Sequence, residues 1–263
     1  MSTAAPIPVR SPLPSGLSGA TALLIGGTSG IGLAAGVLLR SVGARVVLVG
    51  RDPSRLDAAV ARVRAASPDT APDDVLGVAG DAGSEQTITE AFDRAGRVDH
   101  VLLTAGGISG MGLAAELSDD AITVNLDGRV RTAFTVARAA ATRLPAGGSL
   151  TFSSGALVIS PRPGMSALVA AAGAVEAVTR ALAVEFAPAR QRVNAVRYGR
   201  VDTPLLRAAP GLDTDEAMAA AGAPTPLGRF GTAEEAAASA LFLMANNYVT
   251  GQVITVDGGE FLT

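Results

Sequence analysis

The segment Leu23-Leu24-Ile25-Gly26-Gly27-Thr28-Ser29-Gly30-Ile31-Gly32 sets glycines where an apolar run gives way to a helix-forming stretch. A strand that turns into a helix at such a point lets backbone N–H groups approach a pyrophosphate unobstructed, and the helix starting near Gly30 offers it a positive end. Gly26, Thr28, Ser29, Gly30, Ile31 and Gly32 are therefore candidate dinucleotide-binding residues. About twenty residues further on, where an acid would bond an adenosine ribose, the chain has Gly50 followed by Arg51. A guanidinium there suits a 2′-phosphate, which it can meet with two hydrogen bonds. The expected cofactor is accordingly NADP(H); the competing assignment gives the ribose to Asp52 and leaves Arg51 in solvent.

Other chemistries are excluded by what the chain lacks. Without cysteine there is no thiolate nucleophile, disulfide or cysteine-bound zinc, and the single histidine, His100, cannot build a histidine metal cluster. No metal site is expected. All 21 basic residues are arginines, scattered along a chain of net charge −3, so no basic stripe points to nucleic acid. The first sixteen residues are rich in proline and serine and lack the apolar core of a secretion signal, so residues 1–16 read as a mobile arm before a domain spanning 17–263. No later stretch reaches membrane-spanning length without interruption, and the absence of cysteine fits a cytoplasmic location.

The elements that must position these residues follow from alternating apolar and alanine-rich runs. Strands are expected at Ala22–Ile25, Ala44–Val49, Val75–Ala79, His100–Thr104, Ser149–Ser153, Arg192–Arg197 and Val253–Val256. Helices are expected at Gly30–Ser41, Ser54–Ala66, Ser84–Ala95, Asp119–Arg143, Met165–Phe186, Pro204–Ala220 and Ala233–Ala245. This alternation predicts an α/β fold: one doubly wound parallel sheet of Rossmann type between two helical layers, in a single domain.

With those motifs in view, the chain from Leu17 to Gly259 resembles the short-chain dehydrogenase/reductase family in its single-domain form. The resemblance rests on the glycine loop, on Gly80-Asp81-Ala82, on Ala105-Gly106, on Thr123-Val124-Asn125, on Arg192–Val196 followed by Val201-Asp202-Thr203-Pro204, and on Pro226–Gly231 and Val256–Gly259. It implies that Asp81 and Ala82 contact adenine, that Ala105 and Gly106 line the cofactor, that Asn125 holds a water in a proton path, and that Val201 and Thr203 cover the nicotinamide. Leu103 and Thr104 depart from the family's Asn-Asn, and Tyr198-Gly199 from its Pro-Gly. By the same analogy the chain forms a homotetramer or homodimer.

The family's proton donor, Ser with Tyr-xxx-Lys, is where the match fails. Alignment through Gly173–Ala177 places Leu168 at the tyrosine and Ala172 at the lysine, and with no lysine anywhere in the chain no other alignment restores the pair. Ser154, or Ser153 beside it, takes the serine position, and Tyr198 is the one phenol expected near the nicotinamide. The resulting pocket is larger and drier. It suits a small apolar substrate that is already activated: an iminium ion, a conjugated alkene or an electrophilic ketone. The alternative is a catalytically impaired NADP(H)-binding protein acting as a sensor or oligomer partner. Arg162, Arg197 and Arg200 are expected to be solvated or ion-paired, and His100 to bond locally.

Overall fold

The apolar run Thr21–Ile25 forms β1, buried at every position. In this computed structural model, which describes residues 11–67, 71–107 and 110–262, β1 lies inside a seven-stranded parallel sheet. On one side of it stand β2 (Arg45–Gly50) and β3 (Val75–Ala79); on the other stand β4 (His100–Leu103), β5 (Ser149–Gly155), β6 (Arg192–Tyr198) and β9 (Val253–Val256). A separate ribbon pairs β7 (Val201–Asp202) with β8 (Gly231–Thr232). The order β3-β2-β1-β4-β5-β6-β9 reverses its direction of travel between β1 and β4. In open parallel sheets that reversal opens a crevice at the carboxyl ends of the strands, where ligands bind.

Two helical layers close the sheet. Helices α1 (Gly30–Ser41), α2 (Pro53–Arg64) and α9 (Ala233–Ala245) pack Leu39, Leu56 and Leu241 with Leu24 and Leu48. Helices α3 (Glu85–Ala95), α5 (Thr132–Arg143) and α6 (Ser166–Phe186) pack Phe92, Val136 and Val175 with Leu23, Val101 and Phe152 on the other face. Leu17, at the end of a 3₁₀ turn over Pro14–Leu17, joins the first of these clusters. Of the arm expected over residues 1–16, residues 1–10 lie outside the described residues. By length and composition α6 could cross a membrane. Its buried face instead lies on β5 and β6 and carries the ion-paired Glu176, as befits a core helix.

Two expected helices differ in detail. The run Asp119–Arg143 is divided into α4 (Asp119–Leu126), a π-helical turn over Asp127–Arg131, and α5. Gly128 weakens the regular ladder there, and Thr132 Oγ1 donates to Asp127 O at 3.2 Å within the widened turn. The expected helix Pro204–Ala220 is a misreading. It is two pieces, α7 (Pro204–Arg207) and α8 (Asp215–Gly222), because Pro210 has no N–H to give and Gly211 turns left-handed at φ 76°. Thr214 restarts the helix by accepting from Ala217 N at 3.1 Å.

Arg192 ties the far edge of the sheet to α9. Its guanidinium is buried and donates to Leu243 O at 2.6 Å and Met244 O at 2.8 Å, carbonyls that the helix end leaves open, and to Val249 O in the following loop at 3.1 Å. Burial pushes its pKa down to about 10. Arg192→Leu removes these donors and leaves the carbonyls buried, so chemical denaturation should show a loss of roughly 2–4 kcal/mol.

Candidate active site

The glycine loop is shaped by how closely it meets the end of β4. Gly26 holds φ 94°, and a methyl group on it would stand 2.5 Å from Ala105 N. A methyl on Gly32 would stand 2.4 Å from Gly26 O and 2.6 Å from Thr104 Oγ1. Thr104, in place of the family's asparagine, donates to Gly26 O at 3.2 Å and fastens the two segments. Ser29 precedes α1 in extended conformation with no side-chain cap, so the first N–H groups of the helix face the crevice. Ile31 packs beside Val201 and Val196, and Thr203 Cγ2 lies 3.2 Å from where a Gly30 Cβ would be. Backbone donors within a cradle that admits no side chain fit the pyrophosphate of a dinucleotide.

On the β2 side, Thr28 folds over Gly50, where a methyl would stand 2.3 Å from Thr28 Cγ2. Arg51 is exposed, and among the described residues it has no hydrogen bond or ion pair. Asp52 is engaged in capping α2: Oδ1 accepts from Arg55 N at 3.0 Å and Ser54 Oγ at 2.7 Å, bonds that hold its carboxyl below the usual range. This favours Arg51 over Asp52 as the cofactor contact. Asp81 Oδ1 accepts from Gly83 N at 2.7 Å and turns the chain at the end of β3, with Ala82 beside it partly buried.

Beyond β4 the site becomes apolar. Leu168 and Ala172 are buried on α6, 6% and 5% exposed. Ser154 Oγ faces the same helix, donating to Glu176 Oε1 at 2.7 Å, with Ala172 O at 3.5 Å. Glu176 is also gripped by Arg197, Nε to Oε1 at 2.8 Å and Nη2 to Oε2 at 2.5 Å, in a two-point pair. A carboxylate only accepts. The Ser154 proton is thus committed, and its lone pairs remain for a ligand. Side chains alternate along a strand, so Ser153 points to the opposite face, where its hydroxyl is buried with no hydrogen-bond partner among the described residues. Of the two serines expected here, Ser154 is the one on the α6 face. Asn125, buried in α4, donates to Ala121 O at 2.9 Å, a bond within its own helix. Gly106 and Gly107 are exposed beside Arg129, whose Nη2 donates to Gly107 O at 3.0 Å.

Tyr198 does not join the site. Arg197 before it reaches Glu176, so Tyr198 points the other way, into a cluster with Val196, Val201, Ala236 and Leu243. Burial pushes its phenol well above the ordinary range. The neighbouring Ser239 hydroxyl spends its proton on Ala236 O at 2.6 Å, and the Tyr198 hydroxyl has no hydrogen-bond partner among the described residues. A shielded phenol with so raised a pKa on the wrong face is no proton donor, which corrects that expectation. His100 Nδ1 meets Ser149 Oγ at 2.9 Å, a local bond in the core. Arg200 pairs with Glu260, with Arg162 3.9 Å from the same carboxylate. Glu176 and Arg129 escaped sequence reading, and Thr104 was read only as a departure from the family's Asn-Asn. Glu176 sits one turn beyond Ala172 on one helix face, a spacing that could have flagged it; Arg129 gave no such signal. Tyr198→Phe should leave cofactor affinity and any turnover unchanged, whereas Gly32→Ala should raise the dinucleotide Kd by more than about tenfold, both read by titration.

The family model described as enoyl-(acyl carrier protein) reductase matches residues 26–260. The chain is 32% identical over 256 residues to the short-chain dehydrogenase/reductase ATR9 of Stachybotrys chlorohalonatus, covering 94% of this chain and 98% of that one. The solved MalC reductase/Diels–Alderase of Malbranchea aurantiaca superposes with a TM-score of 0.85 at 30% identity, over 94% of this chain and 98% of its own. A short-chain dehydrogenase from Burkholderia cenocepacia, solved in complex with NADP, superposes with a TM-score of 0.80 at 26% identity, over 93% and 98%. Sequence and fold are thus shared over nearly whole chains: the protein belongs to the short-chain dehydrogenase/reductase family of oxidoreductases.

Proposed function

We propose that this protein binds NADP(H) and reduces a small apolar substrate that carries its own activation, an iminium ion first among them. The observation that carries this reading is the Ser154–Glu176–Arg197 arrangement beside Leu168 and Ala172. A ketone needs a proton at its oxygen as hydride arrives, and the Ser154 hydroxyl on that wall directs its proton at Glu176 instead. An iminium needs none: hydride adds to carbon, the C=N π pair returns to nitrogen, and a neutral amine results. Bound NADPH supplies the hydride. Ser154 offers lone pairs to an electron-poor substrate, Glu176 fixes the hydroxyl's direction, and Leu168 and Ala172 exclude water from an apolar pocket. Thr203 lies over Gly30 at the crevice. The NADP found in the Burkholderia cenocepacia relative supports the choice of cofactor, as does Arg51. One structural relative joins reductase to Diels–Alderase in its name, activities that rest on positioning as much as on proton transfer.

Phe134 on α5 and Val184 on α6, 46% and 75% exposed, support assembly into a homodimer or homotetramer through that outer layer.

Arg51→Ala should weaken NADPH binding by roughly 10–100-fold and leave NADH unchanged, because hydrogen bonds to a charged phosphate are worth about 1.5–3 kcal/mol. Equal losses for both cofactors refute the NADP(H) assignment. In a panel of N-alkyl iminium salts, enones and ketones, NADPH oxidation should be fastest with the iminium salts and flat between pH 6 and 8. Fastest turnover on unactivated ketones sinks the proposal, and tight NADPH binding with no oxidation of any panel member makes the protein a cofactor-binding sensor or subunit.

A further inference from the structure

Arg129 sits in the π-helical turn after α4, and its side chain is partly buried against the loop that follows β4. Its guanidinium lies 3.5–3.8 Å from where a Gly106 Cβ would stand, and Nη2 donates to Gly107 O. Together with Ala105, Phe152 and Val175 it lines a small cavity at the carboxyl ends of β4 and β5. Val175 is one turn along α6 from Ala172, so this cavity adjoins the wall made apolar by Leu168 and Ala172.

Among the described residues no carboxylate lies within 4.0 Å of Arg129, whereas Arg197, Arg200, Arg207 and Arg229 are each paired with one. Burial pushes the Arg129 pKa down, and no charged group acts against that push. A partly buried cation satisfied by a single carbonyl carries an uncompensated desolvation cost. Binding of an oxygen-rich or anionic group in the cavity would offset it.

The geometry of the sheet says which group. Arg51 follows β2 and the glycine loop follows β1, so the adenosine half with its 2′-phosphate lies toward β2. Arg129 stands on the far side of the glycine loop, at β4 and β5, two to three strand spacings or roughly 10–15 Å from the end of β2. That is the side on which the other half of a dinucleotide must lie. We propose that Arg129 binds the ribose–phosphate oxygens of the nicotinamide half and so orients the ring toward Ser154. The inference rests on the NADP(H) reading above. It makes a residue of the π turn, rather than any residue of α6, the cation of the reaction-side pocket.

Fluorescence titration of the full-length chain with NADPH, alongside calorimetric titration with adenosine 2′,5′-bisphosphate, tests it. Arg129→Ala and Arg129→Gln should each raise the NADPH Kd by roughly tenfold or more and leave the bisphosphate Kd unchanged. Arg129→Lys should recover part of the loss. The unchanged bisphosphate affinity also reports that the fold and the adenosine side are intact. An unchanged NADPH Kd in both neutral variants overturns the proposal and assigns Arg129 to an anionic substrate. Equal weakening of both ligands overturns it too, because the residue then acts through the fold. A wild-type protein that binds neither ligand fails the NADP(H) reading itself, and the proposal with it.

Discussion

The approach of one backbone to another at the carboxyl end of β1 governs the rest of this molecule. Where the chain leaves β1, it passes so near the segment after β4 that Gly26 and Gly32 have no room for a methyl group. Thr104 closes the junction with a hydroxyl bond across it. That contact fixes the start of α1, and with it the direction of the helix N–H groups. It also joins the two halves of the sheet at the point where strand order reverses. The crevice is therefore a product of backbone geometry, and side chains are added to it from either side.

What distinguishes this chain is how charge is distributed around that crevice. On the α6 wall, the positions that would carry a phenol and an ammonium are hydrocarbon, and a buried carboxylate, Glu176, stands one turn further on. It is held by Arg197 and in turn holds Ser154. Buried charges are stable when paired and hydrogen-bonded, and this one is both, so the wall is neutral overall while the serine is fixed in an accepting orientation. On the opposite wall Arg129 has a carbonyl and, among the described residues, no acid.

Much of the fold was legible because periodicity and punctuation agreed. β3, β9, α1 and α9 have the ends their apolar runs and flanking residues define. Pro210-Gly211 was equally visible yet was read through, since an alanine-rich run on each side imitated one helix; local breakers outweighed composition there. The cofactor loop could be read because its glycines answer to a steric demand that any sequence displays. The serine could be placed only when strand alternation sent Ser153 and Ser154 to opposite faces. Tyr198 was misjudged for the same reason: a one-residue step along β6 exchanges the α6 face for the α9 face, and no count of tyrosines reveals it. Arg129 gave no signal because what sets it apart, the want of an acid partner among the described residues, only three dimensions display.

The unequal lives of the two tyrosines have an optical consequence. The chain has no tryptophan, so its ultraviolet emission comes from Tyr198 in the α9 layer and from Tyr248, which is wholly exposed. Nitrating reagents meet Tyr248 in the native protein and reach Tyr198 only when that layer opens. The molecule thus carries a surface label and a core label of one chemical kind. Its spectrum is also dark where reduced nicotinamide absorbs and emits, which leaves the crevice observable by its own ligand.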